Sequence, residues 1–296
     1  MNKVLIITGL TASGKSSLAL EIAKKYNGEI ISCDSVQVYR GLDIGSAKES
    51  KENMQLIPHH LIDIVEPNVN YNVSMFLFDV EKAIKDCLSR NKLPILVGGT
   101  MMYIKALIEG YTLGKIADNE FRNHWQEFAI ANGKQAVWEE LNKLNSNLAS
   151  KVHYNNLNRV IRYLELATFG EPTKQDSILK DYNVLAVGIN IDKSIIYPII
   201  DKRVDIMLEQ GLENEVRALI YQGLTLDNNS LNTIGYREMY EYITGKIDYD
   251  TAVNLIKQHT RNYAKRQLTF MKTINNLNIV DKNEAKLLIE AFLKGN

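Results

Sequence analysis

Apolar residues along this chain follow two rhythms. Val4-Leu5-Ile6-Ile7, Glu29–Cys33 and Leu93–Val97 are short, mostly apolar runs, the pattern of strands buried on both faces of a parallel sheet. Between them, apolar positions recur every three or four residues, which predicts helices. Leu18, Ala19, Ile22, Ala23 and Tyr26 define a helix over Ser17–Tyr26, with Gly28 as its stop. Phe76, Val80, Ala83, Ile84 and Cys87 define another, from a Ser74 cap to about Arg90. A helix follows over Met101–Glu109, and His60–Val65 is a candidate strand.

From about Asn119 to Asn183 the strand rhythm disappears, after a break at Tyr111–Asp118. Phe121, Trp125 and Phe128, then Val160, Ile161, Leu164 and Ala167, all keep helical spacing. Trp125 and Trp138 are expected as core anchors of this region. Val184–Ile189 reads as a strand again. Helices follow over Lys193–Gln210, Glu213–Gln222, Tyr236–Thr244 and Tyr249–Met271, with a short strand at Asn278–Val280 and a closing helix over Glu284–Leu293. The simplest account is an α/β core, residues 1–112 and 184–296, interrupted by an all-helical insertion, residues 113–183. The core ends in a helical C-terminal part.

Composition changes this picture little. Of the 296 residues, 45% are hydrophobic and 24% charged, and the formal net charge is zero, so any nucleic-acid surface must come from local clustering. No window is apolar enough for a membrane span. Cys33 and Cys87 are the only cysteines, too few and too far apart for a metal framework. The chain enters a strand almost at once, without the plan of a signal peptide, so a cytoplasmic location is expected.

Gly9-Leu10-Thr11-Ala12-Ser13-Gly14-Lys15-Ser16 carries the clearest chemistry. It fits the phosphate-loop pattern G-x-x-x-x-G-K-[ST] and lies between a predicted strand and a predicted helix, the context that pattern requires. The α/β core is therefore expected to be P-loop NTPase-like. Its glycines let backbone N–H groups turn inward, the helix adds its positive end, and Lys15 supplies a full charge. Ser16 offers a hydroxyl to Mg2+ held against phosphate. Asp34, at the end of the second strand, faces the crevice where such sheets bind ligands. There it serves either as proton acceptor or indirect magnesium ligand, or as an ordinary turn aspartate. Gly98-Gly99-Thr100 ends a strand in the same crevice, with Thr100 either a helix cap or a ligand contact. Lys257, Arg261, Lys265, Arg266 and Lys272 form an acid-free basic run, with Lys257, Arg261 and Lys265 on one helix face. It is either a solvated face or a nucleic-acid contact. Arg159 and Arg162 form a second basic pair, with Glu165 as an alternative partner.

Taken jointly, these motifs resemble the tRNA dimethylallyltransferases, also called tRNA isopentenyltransferases. The resemblance rests on the phosphate loop, Asp34-Ser35-Val36-Gln37-Val38-Tyr39, Asp43-Ile44-Gly45-Ser46-Ala47-Lys48 and Pro58-His59-His60-Leu61-Ile62-Asp63. Val97-Gly98-Gly99-Thr100, Gly235-Tyr236-Arg237-Glu238 and Thr260–Gln267 complete it in order along the chain. It implies transfer of a dimethylallyl group from dimethylallyl diphosphate to N6 of adenine 37, next to the tRNA anticodon. On this resemblance Asp34 is the general base, Lys15 and Arg203 steady the departing diphosphate, and Thr11 and Ser16 contact diphosphate and Mg2+. Ser35, Val36 and Gln37 match the stretch that meets the base. Thr100, Arg122 and Asn158-Arg159-Val160-Ile161-Arg162 match tRNA contacts, to which the basic helix adds Arg261 and Lys265. The insertion would embrace the anticodon stem-loop, with no membrane and no obligatory protein partner, and a monomer is expected. The chain departs from the family pattern at Leu10 (commonly Pro), Ser16 (commonly Thr), Tyr154 and Asn156 (commonly Pro and Asp) and Phe270 (commonly Trp). A small-molecule kinase using ATP, and a non-catalytic nucleotide-dependent RNA-binding protein, are the competing readings of the loop.

Overall fold

The computed structural model describes residues 1–111, 119–170 and 175–295. Two compact units form, Met1–Glu109 with Ser177–Asn296, and Gly110–Asp176. The break expected over Tyr111–Asp118, and with it the predicted boundary at 112–113, lies for the most part outside the described residues.

The first unit begins with β1 (Lys3–Gly9), α1 (Lys15–Lys25), β2 (Gly28–Ser32), α2 (Lys51–Leu56), β3 (His59–His60), α3 (Val73–Ser89), β4 (Leu93–Gly98) and α4 (Met101–Glu109). The second unit holds α5 (Asn119–Asn132), α6 (Lys134–Leu144), α7 (Ser146–Ala149) and α8 (Leu157–Phe169). The first unit resumes with β5 (Asn183–Ile189), α9 (Lys193–Glu209), α10 (Leu212–Tyr221), α11 (Tyr236–Ile243) and α12 (Tyr249–Met271), and closes with β6 (Asn278–Val280) and α13 (Lys282–Lys294).

Six parallel strands lie in the order β3-β2-β4-β1-β5-β6. The central strand β1 explains the unbroken apolar run: Val4, Leu5, Ile6 and Ile7 are fully buried, because helices cover both faces. Leu5 and Ile7 pack with Leu18 and Ile22 of α1 and Ile289 of α13. Toward the other side, Leu10 packs with Met101, Ile196, Ile200, Ala264 and Met271, joining α4, α9 and α12. The site-bearing ends of the strands thus rest on a rigid base.

The third strand is shorter than the pattern suggests, only His59–His60, followed by a lone bridge from Tyr39 to Val65. Asn72 rather than Ser74 caps α3, its Oδ1 accepting from the N–H groups of Ser74 and Met75. The strand residue Glu29 is buried but does not stand alone. Arg90 donates to both its oxygens and His60 Nε2 lies 2.8 Å away, so those partners hold its carboxyl down at about 2.

The second unit has its own core of Val137, Leu141, Val160, Ile161 and Leu164. Trp138 donates from Nε1 to the carbonyls of Ala149 and Val152, at 3.1 and 2.9 Å. Trp125 packs edge-on against Phe121 and Phe128. Both tryptophans are the expected anchors.

Candidate active site

The phosphate loop takes the turn its glycines permit. Gly9 adopts φ 151°, and a Cβ there would stand 2.7 Å from the carbonyl oxygen of Ile189. Gly14 begins α1 in the left-handed conformation, φ 79°. Lys15 folds back over the loop and donates to the Leu10 carbonyl at 3.2 Å. The loop opens into a cavity of about 620 Å³ formed within the first unit, lined by Thr11, Lys15, Ser16, Asp34, Thr100 and Arg203 among others.

Lys15, Arg203 and Asp34 act on one another in this cavity, which Arg237, Arg266 and Glu49 also line. Burial first and the Arg203 guanidinium second push the Lys15 ammonium down, Asp34 opposes both, and the net result is about 8. Burial likewise lowers Arg203, against the pull of Asp34. Such a pair of partly desolvated cations is short of negative charge, and an anionic ligand supplies it. Helix α9 delivers Arg203 from far along the chain.

Asp34 takes the turn predicted as one reading of its position. Its Oδ1 accepts the backbone N–H of Val36 at 2.8 Å and of Gln37 at 3.3 Å, an ordinary aspartate turn. That turn fixes the side chain, and Oδ2 has no hydrogen-bond partner among the described residues. A carboxylate held by one oxygen and open at the other is suited to accept a proton from a ligand.

Thr100 does not turn its hydroxyl to the helix. Its Oγ1 accepts the Ser35 N–H at 3.0 Å and lies 3.2 Å from the Ser35 hydroxyl, tying the end of β4 to the Asp34 corner. Gln37 also faces the cavity, but its amide is engaged: Oε1 accepts from Ser32, and Nε2 donates to the carbonyls of Ser46 and Ala47. Val36 lines the same wall.

The remaining loop residues divide. Thr11 and Ser16 line the cavity; Leu10 is buried in the core, so only its backbone belongs to the loop's chemistry. Ala12 takes a positive φ of 62°, and Ser13 is buried with its hydroxyl unpartnered. Ser16 Oγ and the open Asp34 oxygen are hard oxygen donors, the donor type a magnesium ion beside phosphate takes.

Several expected nucleic-acid contacts require correction. Val160 and Ile161 are 0% and 2% exposed in the core of the second unit, so their side chains cannot meet a partner. Arg122 and Arg162 both donate to the buried Glu165, which spends part of each guanidinium. Asn158 and Arg159 are exposed, Arg159 donating to the Tyr163 hydroxyl. On α12 the basic stripe is not a uniform solvated face: Arg261 pairs with Asp201 and Lys257 with Asp205, both on α9. Lys265 is exposed and has no ion-pair partner among the described residues.

Sequence reasoning missed Gln267, which stood inside a motif read for its charges. It is 2% exposed; its Oε1 accepts the Thr11 N–H at 2.8 Å and its Nε2 donates to the Gly99 carbonyl at 2.9 Å. A polar residue on the apolar side of α12, four positions after Tyr263, was the available signal. It missed Glu215 as well, whose carboxylate accepts three successive N–H groups, from Asp43, Ile44 and Gly45, and the Tyr236 hydroxyl.

A parallel sheet whose first strand runs into a phosphate loop, with a cation pair and an open carboxylate over it, defines a phosphate-loop enzyme of the transferase kind. The family is more specific. The model described as IPP transferase matches residues 37–274, and that described as Isopentenyl transferase matches residues 2–69. The chain belongs to this family. A tRNA dimethylallyltransferase of Exiguobacterium sp. is 43% identical over 271 residues, 91% of this chain and 87% of its own. One from Ligilactobacillus salivarius is 42% identical over 94% of this chain and 92% of its own. Among solved structures, the full-length tRNA isopentenylpyrophosphate transferase of Bacillus halodurans superposes with a TM-score of 0.74 at 37% identity, over 99% of this chain and 97% of that one. A eukaryotic dimethylallyltransferase acting on tRNA gives a TM-score of 0.77 at 27% identity, over 96% and 75%.

Proposed function

We propose that this enzyme transfers the dimethylallyl group of dimethylallyl diphosphate to N6 of adenosine 37 in tRNA, releasing diphosphate. The observation that carries this reading is the meeting of Lys15, Arg203 and Asp34 in one cavity at the phosphate loop. Family membership supports it independently.

The chemistry follows from the residue types. The exocyclic amine of adenine is a weak nucleophile, its lone pair shared with the ring. Asp34 Oδ2 takes a proton from N6 as the new C–N bond forms. The allylic C–O bond breaks, and its electron pair leaves with the diphosphate. Lys15, Arg203 and the loop N–H groups face that developing charge without reorganising, the most effective form of leaving-group stabilisation. Ser16 would hold Mg2+, which would add positive charge to the diphosphate oxygens. A 620 Å³ cavity takes a base only after it leaves the loop stack, so the target adenine is everted. Lys265, with Asn158, Arg159, Arg162 and Arg122 of the second unit, is assigned to the anticodon stem-loop, with the engaged guanidiniums contributing their free edges. No helix among the described residues is long and apolar enough to cross a membrane. A monomer working in the cytoplasm, without an obligatory protein partner, completes the reading.

The test is to incubate purified protein with unmodified tRNA and dimethylallyl diphosphate and weigh the digested nucleosides. N6-dimethylallyladenosine is expected, with pyrophosphate released and no need for ATP. ADP formation from ATP would instead establish a kinase, and unmodified adenosine with retained RNA binding would leave only a binding protein.

A further inference from the structure

We propose that Gln267 is a positioning residue which fixes the separation between the leaving-group cradle and the base; this rests on the roles given to Lys15 and Asp34 above. The sheet ladder ends at Thr8 with Gly98 and at Ser32 with Val97. The phosphate loop and the Asp34 corner both lie beyond it. There the Thr8 hydroxyl donates to the Gly98 carbonyl, and the N–H groups of Cys33 and Thr100 donate to the carbonyls of Val97 and Cys33; the loop beyond Thr8 is tied to the β4 end through one amide. Gln267 Oε1 accepts the Thr11 N–H at 2.8 Å, and Nε2 donates to the Gly99 carbonyl at 2.9 Å. The Tyr263 hydroxyl donates to the same carbonyl at 3.0 Å. The next residue, Thr100, accepts the Ser35 N–H at 3.0 Å, and Ser35 follows Asp34 directly.

The bridge is built tightly. A Cβ on Gly99 would come within 2.5 Å of Gln267 Nε2 and 3.7 Å of Lys15 Nζ, so glycine leaves room for the amide at the end of β4, close to the loop lysine's side of the cavity. Gln267 lines the cavity, but its Oε1 and Nε2 are engaged by Thr11 and Gly99, so it acts through the loop and the β4 end. Reactions of two held partners are sensitive to spacing: a displacement of about 1 Å can cost on the order of 10²-fold in rate. Loss of the bridge should therefore appear in kcat, with substrate affinities intact.

Gln267→Met keeps the volume and removes both hydrogen bonds. In steady-state assays with tRNA and dimethylallyl diphosphate, kcat should fall roughly 10- to 100-fold, with KM for both substrates unchanged. A purely packing role predicts an unaltered kcat, and that result overturns the inference. So does a variant whose only change is a raised KM for tRNA, which would place Gln267 in RNA binding. Gln267→Glu provides the second arm if the methionine variant does not fold. It keeps the acceptor for Thr11 and loses the donor to Gly99, so kcat should again drop. In addition KM for dimethylallyl diphosphate should rise, because the added charge lies beside Lys15. Wild-type kcat in that variant also overturns the inference. A wild-type enzyme without product would sink the functional reading itself, whereas an active wild type matched by either variant sinks the bridge alone.

Discussion

At Asp34 the turn and the proposed proton acceptor fall on different atoms. The oxygen that shapes the turn is not the oxygen open to the cavity. Asp34→Asn keeps the carbonyl-type acceptor for Val36 and Gln37, so the corner survives and only the proton acceptor is lost. Single-turnover rates should fall roughly 10²- to 10⁴-fold, with tRNA and diphosphate affinities retained; an unchanged rate removes Asp34 from the chemistry. Lys15 gives a pH test. Its ammonium titrates at about 8 in the folded chain, against 10.5 ordinarily. Affinity for inorganic pyrophosphate should decline as pH rises through about 8, and Lys15→Ala should flatten that decline in calorimetric titration. Stability moves the other way. Between about 8 and 10.5 the unfolded chain holds a proton that the folded chain has released, so Lys15 makes the fold more stable as pH rises across that window.

At the scale of elements, α12 does more than its charge pattern implied. One side of the helix pairs with α9 through Arg261 with Asp201 and Lys257 with Asp205; another reaches the phosphate loop through Gln267. A test of RNA contact by reversing Arg261 would therefore break a helix–helix pair as well. The discriminating substitution is Lys265→Gln. It should weaken tRNA binding and reduce the slope of log affinity against log salt by about 0.7, the release of one counterion from a single-stranded contact. Arg261→Gln should lower the melting temperature slightly and leave that slope nearly unaltered. Equal slopes for Lys265→Gln and the wild type would return Lys265 to ordinary surface.

In the whole molecule, the first unit holds the cavity and the second unit holds both tryptophans. Each unit has its own core, so each can be followed by its own signal. Leu164→Ala removes a fully buried side chain from the second core and should destabilise it by about 2–5 kcal/mol. The tryptophan fluorescence transition in urea should move to lower denaturant, while pyrophosphate binding by the first unit keeps its midpoint. A common shift of both signals would mean that the two cores unfold as one.

The strand and helix rhythms, the phosphate loop and the order of elements were legible in the chain because they are local. A run of apolar residues buries itself wherever helices cover both faces, and Gly9 and Gly14 need no distant partner to turn. Asp34 was legible as an acid at a strand end. Its open oxygen was not, since that depends on which N–H groups the turn consumes. The rest was decided in three dimensions. Arg203 became a site residue because α9 packs against α12 and the loop residue Leu10, and Val160 and Ile161 lost their assigned role because their helix turns them inward. Arg261 and Lys257 read as free charges along a sequence that cannot display Asp201 and Asp205 opposite them. Gln267 joins residues 256 positions apart at one end and 168 at the other, a separation no periodicity records. Sequence determined which chemical groups exist and which short segments hold them; tertiary packing alone decided which of those groups face one another and which have already been neutralised.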